Sequence, residues 1–169
     1  MTLADFADLV ESIGIVAIVF GVAFGLIQLR QHRKQSRDAA IIELATSFED
    51  RDFTEAYRLL SELDEGISAR EFNALGDDYI SALLRVGMKF ETVGLLVYKG
   101  VVPFDAMKDL VGGAAIKIWR VVENWTLETR ETQDHDLLFE WFQWLVERLQ
   151  ERGEGKRIPA FQAYKDWQE

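Results

Sequence analysis

Glu91 is the residue of this sequence best placed to do chemistry. At about 100° per residue on a helix it falls among Ile80, Leu84, Leu95 and Tyr98, inside an apolar arc and away from the Arg85 and Lys89 face. A carboxylate in such surroundings needs a partner or holds its proton more tightly, because burial disfavours the charged form. Arg120 and Arg58 are the candidate cations, and a tryptophan or tyrosine from a facing helix is the candidate hydrogen-bond donor. No second acid, histidine or nucleophile is tied to Glu91 by spacing, so it is expected to be a structural buried carboxylate rather than a catalytic or proton-carrying acid.

His135, between Asp134 and Asp136 with Glu131 four residues before, has a superficial likeness to a metal cluster. The Glu-x-x-His spacing that builds metal sites in helical bundles is absent, and acids at a helix start are favoured by the helix dipole, so an exposed helix-start motif is expected. The chain has no cysteine, which excludes disulfides, thiolate metal sites and cysteine nucleophiles. It also lacks a phosphate-binding glycine loop, a Gly-x-Ser-x-Gly elbow and a zinc signature. No catalytic, cofactor-binding or metal-binding residue is assigned, no cofactor is expected, and an enzyme on a helical scaffold is the minor alternative.

The strongest pattern is physical rather than catalytic. Residues 12–29, SIGIVAIVFGVAFGLIQL, carry no charge and would form a helix roughly 27 Å long at about 1.5 Å per residue, close to the thickness of a bilayer core. Asp5, Asp8 and Glu11 precede them, and Arg30, Arg33, Lys34 and Arg37 follow. Positive charge before the apolar run and a small-residue cleavage site after it, as a signal peptide requires, are both missing. The expectation is an uncleaved transmembrane helix with the N-terminus outside and the remainder in the cytoplasm. The basic residues are a membrane-interface flank, with His32 among them. Gly21 and Gly25 are four apart and Gly14 lies one heptad earlier, so the three share a face at which another helix could pack in the membrane.

The formal net charge of −10 divides into −3 before the apolar run, +4 over residues 30–37 and −11 from residue 38 onward. So acidic a domain is repelled by phosphate backbones, which argues against nucleic acid as a partner. Five tryptophans and eleven phenylalanines supply the apolar surface for one folded domain.

The elements that must position these residues read as helices throughout. The helical pattern continues past the basic run through Ile41, Leu44, Ala45 and Phe48, as a stalk. It breaks at residues 49–52, and Asp52 with Glu55 reads as a capping-box variant opening a helix over 53–63 that ends near Gly66. Residues 67–76 read as a connecting segment. Asp77 and Asp78 start a long central helix ending at Tyr98, and Lys99-Gly100 followed by Pro103 marks a helix-helix turn. A short helix over 103–111 is expected to stop at Gly112-Gly113. The next carries Ala115, Ile118, Trp119, Val122 and Trp125 on one face. A polar stretch over 128–136 leads into a helix over 137–152 with Leu138, Trp141, Trp144, Leu145 and Leu149 inward. Gly153 and Gly155 loosen the chain before Phe161, Tyr164 and Trp167, an aromatic candidate for docking a partner. No stretch alternates as a strand does.

The segment Lys89-Phe90-Glu91-Thr92-Val93-Gly94-Leu95-Leu96-Val97-Tyr98-Lys99-Gly100-Val101-Val102, continuing to the Trp119 region, resembles a bacterial family catalogued as domain of unknown function 4760. The resemblance covers nearly the whole chain. It implies an inner-membrane protein with a spanning helix, a basic flank and a helical domain, gives Phe90, Glu91 and Gly94 a structural role, and brings no assigned activity.

The expected architecture is therefore all-α: a leader over 1–11, a transmembrane helix over 12–29, a basic flank and stalk over 30–52, a cytoplasmic helical bundle over 53–152 and an aromatic tail over 153–169. The expected function is that of an accessory subunit or scaffold in the bacterial inner membrane, binding lipid and either a protein partner or further copies of itself. A membrane-perturbing stress or phage-defence effector is the alternative.

Overall fold

The computed structural model describes residues 3–153 and 159–168, with side chains from residue 20 to 152 and from 159 to 168. The chain forms two compact units, Met1–Ala40 and Ile41–Glu169. The described residues are all helical, and the second unit is a helical bundle.

The helix α1 (Leu3–Ser47) provides the whole described part of the first unit. From Phe20 through Leu29 every side chain is exposed, including Phe20, Val22, Phe24, Leu26, Ile27 and Leu29. Among the fully described residues no helix is long and apolar enough to cross a membrane. Residues 12–19 of the expected span lie outside those residues.

In the second unit the last turn of α1 buries Leu44, and Phe48 follows it into the core. Phe48 meets Phe53 edge-on at 5.0 Å and lies 5.7 Å from Phe90. Phe90 stacks on Phe142 at 4.9 Å, and Phe142 and Trp119 meet in a T-shaped contact at 5.1 Å. This row of rings joins four helices through a shared apolar centre, where aromatic pairs add stabilisation to area burial.

The helix α2 (Arg51–Ser61) is capped by Asp50, whose carboxylate accepts from the Phe53 N–H at 2.9 Å. The expected cap, Asp52, is already inside the first turn and instead receives Arg85 at 2.7 Å, while Glu55 receives Arg51 at 2.9 Å. Phe53, Ala56 and Leu60 are the buried face. The next segment is more ordered than expected of a connector. It contains α3 (Ala69–Ala74), opened by a full capping box in which Ser68 Oγ accepts from Glu71 N–H and Glu71 accepts from Ser68 N–H. Phe72 fills the core beneath it.

The central helix α4 (Asp77–Tyr98) buries Leu83, Val86, Phe90, Val93 and Val97 along one face. It begins at Gly76, whose φ of 97° suits glycine, so Asp77 and Asp78 lie in the first turn and not at the cap. The helix α5 (Phe104–Gln133) runs without a break through Gly112-Gly113. The expected stop fails there because Gly112 is a packing residue: a Cβ on it would meet Leu149 Cδ2 at 3.1 Å. Residues 128–133, expected as a polar linker, are the last turns of the same helix, which ends on Asp134 in the left-handed conformation. The helix α6 (Glu140–Gly153) starts later than expected and buries Phe142, Leu145, Val146 and Leu149. Its inward face is thus turned from the expected one, leaving Trp141 and Trp144 half-buried against Tyr98 at 4.6 and 5.7 Å. A last short helix, α7 (Ala160–Ala163), is followed by a turn through Trp167. The loosening expected at Gly155 lies outside the described residues.

Candidate functional site

The Glu91 face of α4 is where the sequence concentrates its unusual residues, and the turn before α6 is built onto it. Gly87, Glu91 and Gly94 share one side of α4 at helical spacing. A Cβ at Gly87 would collide with the Phe139 ring, and one at Gly94 with the Trp141 backbone carbonyl. The two glycines therefore let the chain around residues 139–141 lie directly on the α4 backbone. Between them the Glu91 carboxylate accepts the Phe142 N–H at 2.8 Å and interacts with the Trp141 backbone N–H as well. It acts as the N-cap of a helix to which it does not belong, taking up N–H groups that the first turn of α6 leaves without intrahelical partners.

Burial pushes the Glu91 carboxyl above its ordinary value, and the negative charge of Glu140 adds to this, while the Phe142 and Trp141 N–H groups and Arg130 act in the opposite direction. Arg130 braces the same turn from α5. Its Nε donates to the Leu138 carbonyl at 2.9 Å and its Nη1 to Gln143 Oε1 at 2.6 Å. Phe139 holds a φ of 57° with its ring fully enclosed, so packing against Gly87 compensates for a left-handed backbone that a bulky residue rarely adopts.

The two expected cations are engaged elsewhere: Arg120 lies 3.5 Å from Glu65, and Arg58 lies 2.7 Å from Glu62. Both pairs are exposed. Glu91 is thus a carboxylate held by backbone donors, and its geometry is that of a helix cap. Sequence reasoning missed Gly87, Arg130 and Phe139. A signal for Gly87 was present, since it stands seven residues before Gly94 on the Glu91 face; Phe139 offered none.

The other expected site residues are not brought together. Gly21 and Gly25 have open space where a Cβ would stand, and Gly14 lies outside the residues with described side chains. Arg30, Arg33, Lys34 and Arg37 are exposed, as are His32 and His135. Among the described residues no group of three or more His, Asp or Glu is arranged to hold a metal ion. Phe161, Tyr164 and Trp167 are exposed together. Between α2 and α4 an open groove of about 390 Å³ is lined by Asp52, Glu55 and Asp78 with Arg85, above Leu59 and Tyr79. Asp52 and Glu55 already hold Arg85 and Arg51, so its charges are largely met from within.

The family described as Domain of unknown function (DUF4760) matches this chain over residues 15–149. The match takes in the Glu91 face, the turn it caps and most of both units. No curated protein and no solved structure matches the chain. With most of its length matched, the chain belongs to the DUF4760 family.

Proposed function

We propose that this DUF4760 protein is a single-pass protein of the bacterial inner membrane whose helical domain faces the cytoplasm and binds protein, as an accessory subunit or scaffold of a membrane assembly. The observation that carries the reading is the run Phe20–Leu29 of α1, uncharged, apolar except for Gln28 and exposed on every side, with Arg30, Arg33, Lys34 and Arg37 in the two turns after it. A helical run with apolar side chains around nearly its whole circumference belongs in lipid or inside a larger assembly. An excess of Lys and Arg at one end selects the cytoplasmic side.

Protein binding is supported by the surface of the bundle. Leu84 and Met88, one turn apart on α4, are exposed although they lie beside the Glu91 face, and the acidic charge of the domain disfavours nucleic acid. Gly21 and Gly25 leave a surface on α1 for a neighbouring membrane helix. Glu91 has a structural part in this reading, holding α6 against α4, and no catalytic step is assigned.

Carbonate washing of membranes followed by protease treatment of spheroplasts tests the anchor and its direction. The protein is expected to stay with the membrane and its large portion to be protected; release by carbonate, or digestion in intact spheroplasts, would overturn the reading. A pull-down in mild detergent with mass spectrometry tests the partner. A defined set of co-purifying proteins, or copies of this chain, is expected; recovery of the chain alone would favour the lone membrane-perturbing effector.

A further inference from the structure

The unfavourable features of this bundle gather on the docking of α6. Among the described residues, the non-glycine residues with positive φ are Asp134 at 54° and Phe139 at 57°, and both lie in the turn that leads into α6. Left-handed backbone is disfavoured for a residue with a Cβ, most of all a bulky one. The buried side-chain nitrogens without a hydrogen-bond acceptor are in the same place: Nη2 of Arg130, the side chain that braces the turn, and Nε of Arg148 on α6. A buried donor left unpaired keeps its desolvation cost, which contact with water removes. Glu91 adds to this, since burial and the charge of Glu140 oppose its ionisation while α6 is docked.

Packing order allows α6 to leave without dismantling the rest. Among the described residues α6 packs on α4 and α5 alone, whereas α2 and α3 each pack on both α4 and α5, and α4 also packs on α5. What holds α6 down is the burial of Phe142, Leu145, Val146 and Leu149 together with the Glu91 and Arg130 hydrogen bonds. An element whose attachment carries the strain and the unpaired groups of a domain, and whose loss leaves the other helices in contact, opens at lower free energy than the whole.

We propose that α6 and its turn, residues 134–153, form a detachable strap that leaves and re-docks as one unit while α2, α3, α4 and α5 stay folded. The face it vacates is shaped for the start of a helix: Gly87 and Gly94 admit a chain at contact distance, and Glu91 stands between them to accept its N–H groups. The strap is the internal occupant of that face and controls whether it is open. The inference concerns the second unit alone, and it holds whether or not α1 lies in a membrane.

Native-state hydrogen exchange of the full chain in mild detergent, read by mass spectrometry where exchange reports the opening equilibrium, tests the strap. Amides of 144–150 are expected to exchange about tenfold or more faster than those of the buried face of α4 once corrected for intrinsic rates. Two variants separate a strap from general instability. Leu60→Val weakens a contact of α2 that the open strap retains, so it is expected to speed exchange in α4 and leave α6 unchanged. Glu91→Ala weakens a contact that the open strap has lost, so it is expected to speed α6. Equal protection of α6 and α4 in the parent chain would overturn the proposal. So would an α6 rate that rises in step with α4 in Leu60→Val, or exchange of α2 and α3 together with α6, since each would mean that α6 opens only with the bundle.

Discussion

The Glu91 carboxylate, in the middle of α4, accepts the backbone N–H of Phe142 at 2.8 Å and so closes the first turn of α6 from a separate helix. Removing the acceptor leaves partly buried N–H groups of that turn without a partner, a loss that costs about 1–3 kcal/mol. Glu91→Ala is expected to lower the stability of the bundle by that amount. Glu91→Gln keeps an acceptor of the same shape and omits the charge, and is expected to lose less than half as much. Urea denaturation of the three proteins checks this; equal losses for Ala and Gln would show that the charge, and not the cap, is what matters.

The same carboxylate has a pH signature. Burial raises its folded-state value above the ordinary one, so between the two values the folded chain holds a proton that the unfolded chain has released. Stability from this group is complete below the ordinary carboxylate value of 4.5 and declines as pH rises through the folded value. Relative to Glu91→Gln, which does not titrate, the parent protein is expected to gain stability as pH falls from neutral toward 4.5. Denaturation midpoints of the pair across that range measure the difference, and a difference that moves the other way would mean that the N–H donors outweigh burial.

Glycines on α4 and α5 should respond oppositely to one methyl group. Gly113 has open space where a Cβ would stand, so Gly113→Ala is expected to stabilise the bundle by about 0.5–1 kcal/mol through the unfolded chain and helix propensity. Gly94→Ala brings the same intrinsic gain but drives its Cβ into the Trp141 carbonyl, a backbone group that cannot swing aside. Overpacking of this kind costs about 1–3 kcal/mol, and a net loss is expected. Gly87→Ala meets the enclosed Phe139 ring and should lose stability as well. Thermal unfolding of the three variants, with Gly113→Ala as the internal reference, decides whether close approach or propensity governs each site.

Helix identity was legible wherever apolar residues recur at helical spacing, as over Asp77–Tyr98, because periodicity reports directly on a buried face. Punctuation was less legible. Gly112-Gly113 reads as a stop, yet the glycines lie inside α5 because Leu149 needs the space beside Gly112, a tertiary demand with no local trace. The Ser68 and Glu71 capping box was present in the sequence and passed over, although it marks α3 directly. Glu91 was identifiable as out of place by its position in an apolar arc. Its partner was not: a side chain calls attention to cations such as Arg58 and Arg120, whereas the groups that hold it are backbone N–H donors, which every residue except proline has. The inward phase of α6 was misread for a similar reason, since Trp141 and Trp144 are large and apolar but half-buried, and Phe139 and Phe142 fill the centre.

The boundary of the independently folding part follows from where α1 begins to bury side chains. Residues 20–38 are exposed, whereas Leu44 is buried and the Phe48 ring packs against Phe53 and Phe90, with Lys89 Nζ 5.4 Å from its centroid. A chain of residues 38–169 keeps these contacts and sheds the exposed apolar run, so it is expected to be folded, soluble without detergent and cooperative in unfolding. A chain of residues 50–169 keeps Asp50 as the α2 cap but loses Leu44 and Phe48. Loss of two such side chains costs on the order of 3–5 kcal/mol or more, a large share of the roughly 5–15 kcal/mol by which domains are stable. It is expected to unfold at markedly lower temperature and to expose apolar surface to dyes that bind it. Circular dichroism melts of both fragments make the comparison; equal stability would mean that the end of α1 contributes nothing to the bundle, and an insoluble longer fragment would mean that the bundle needs its anchor in order to fold.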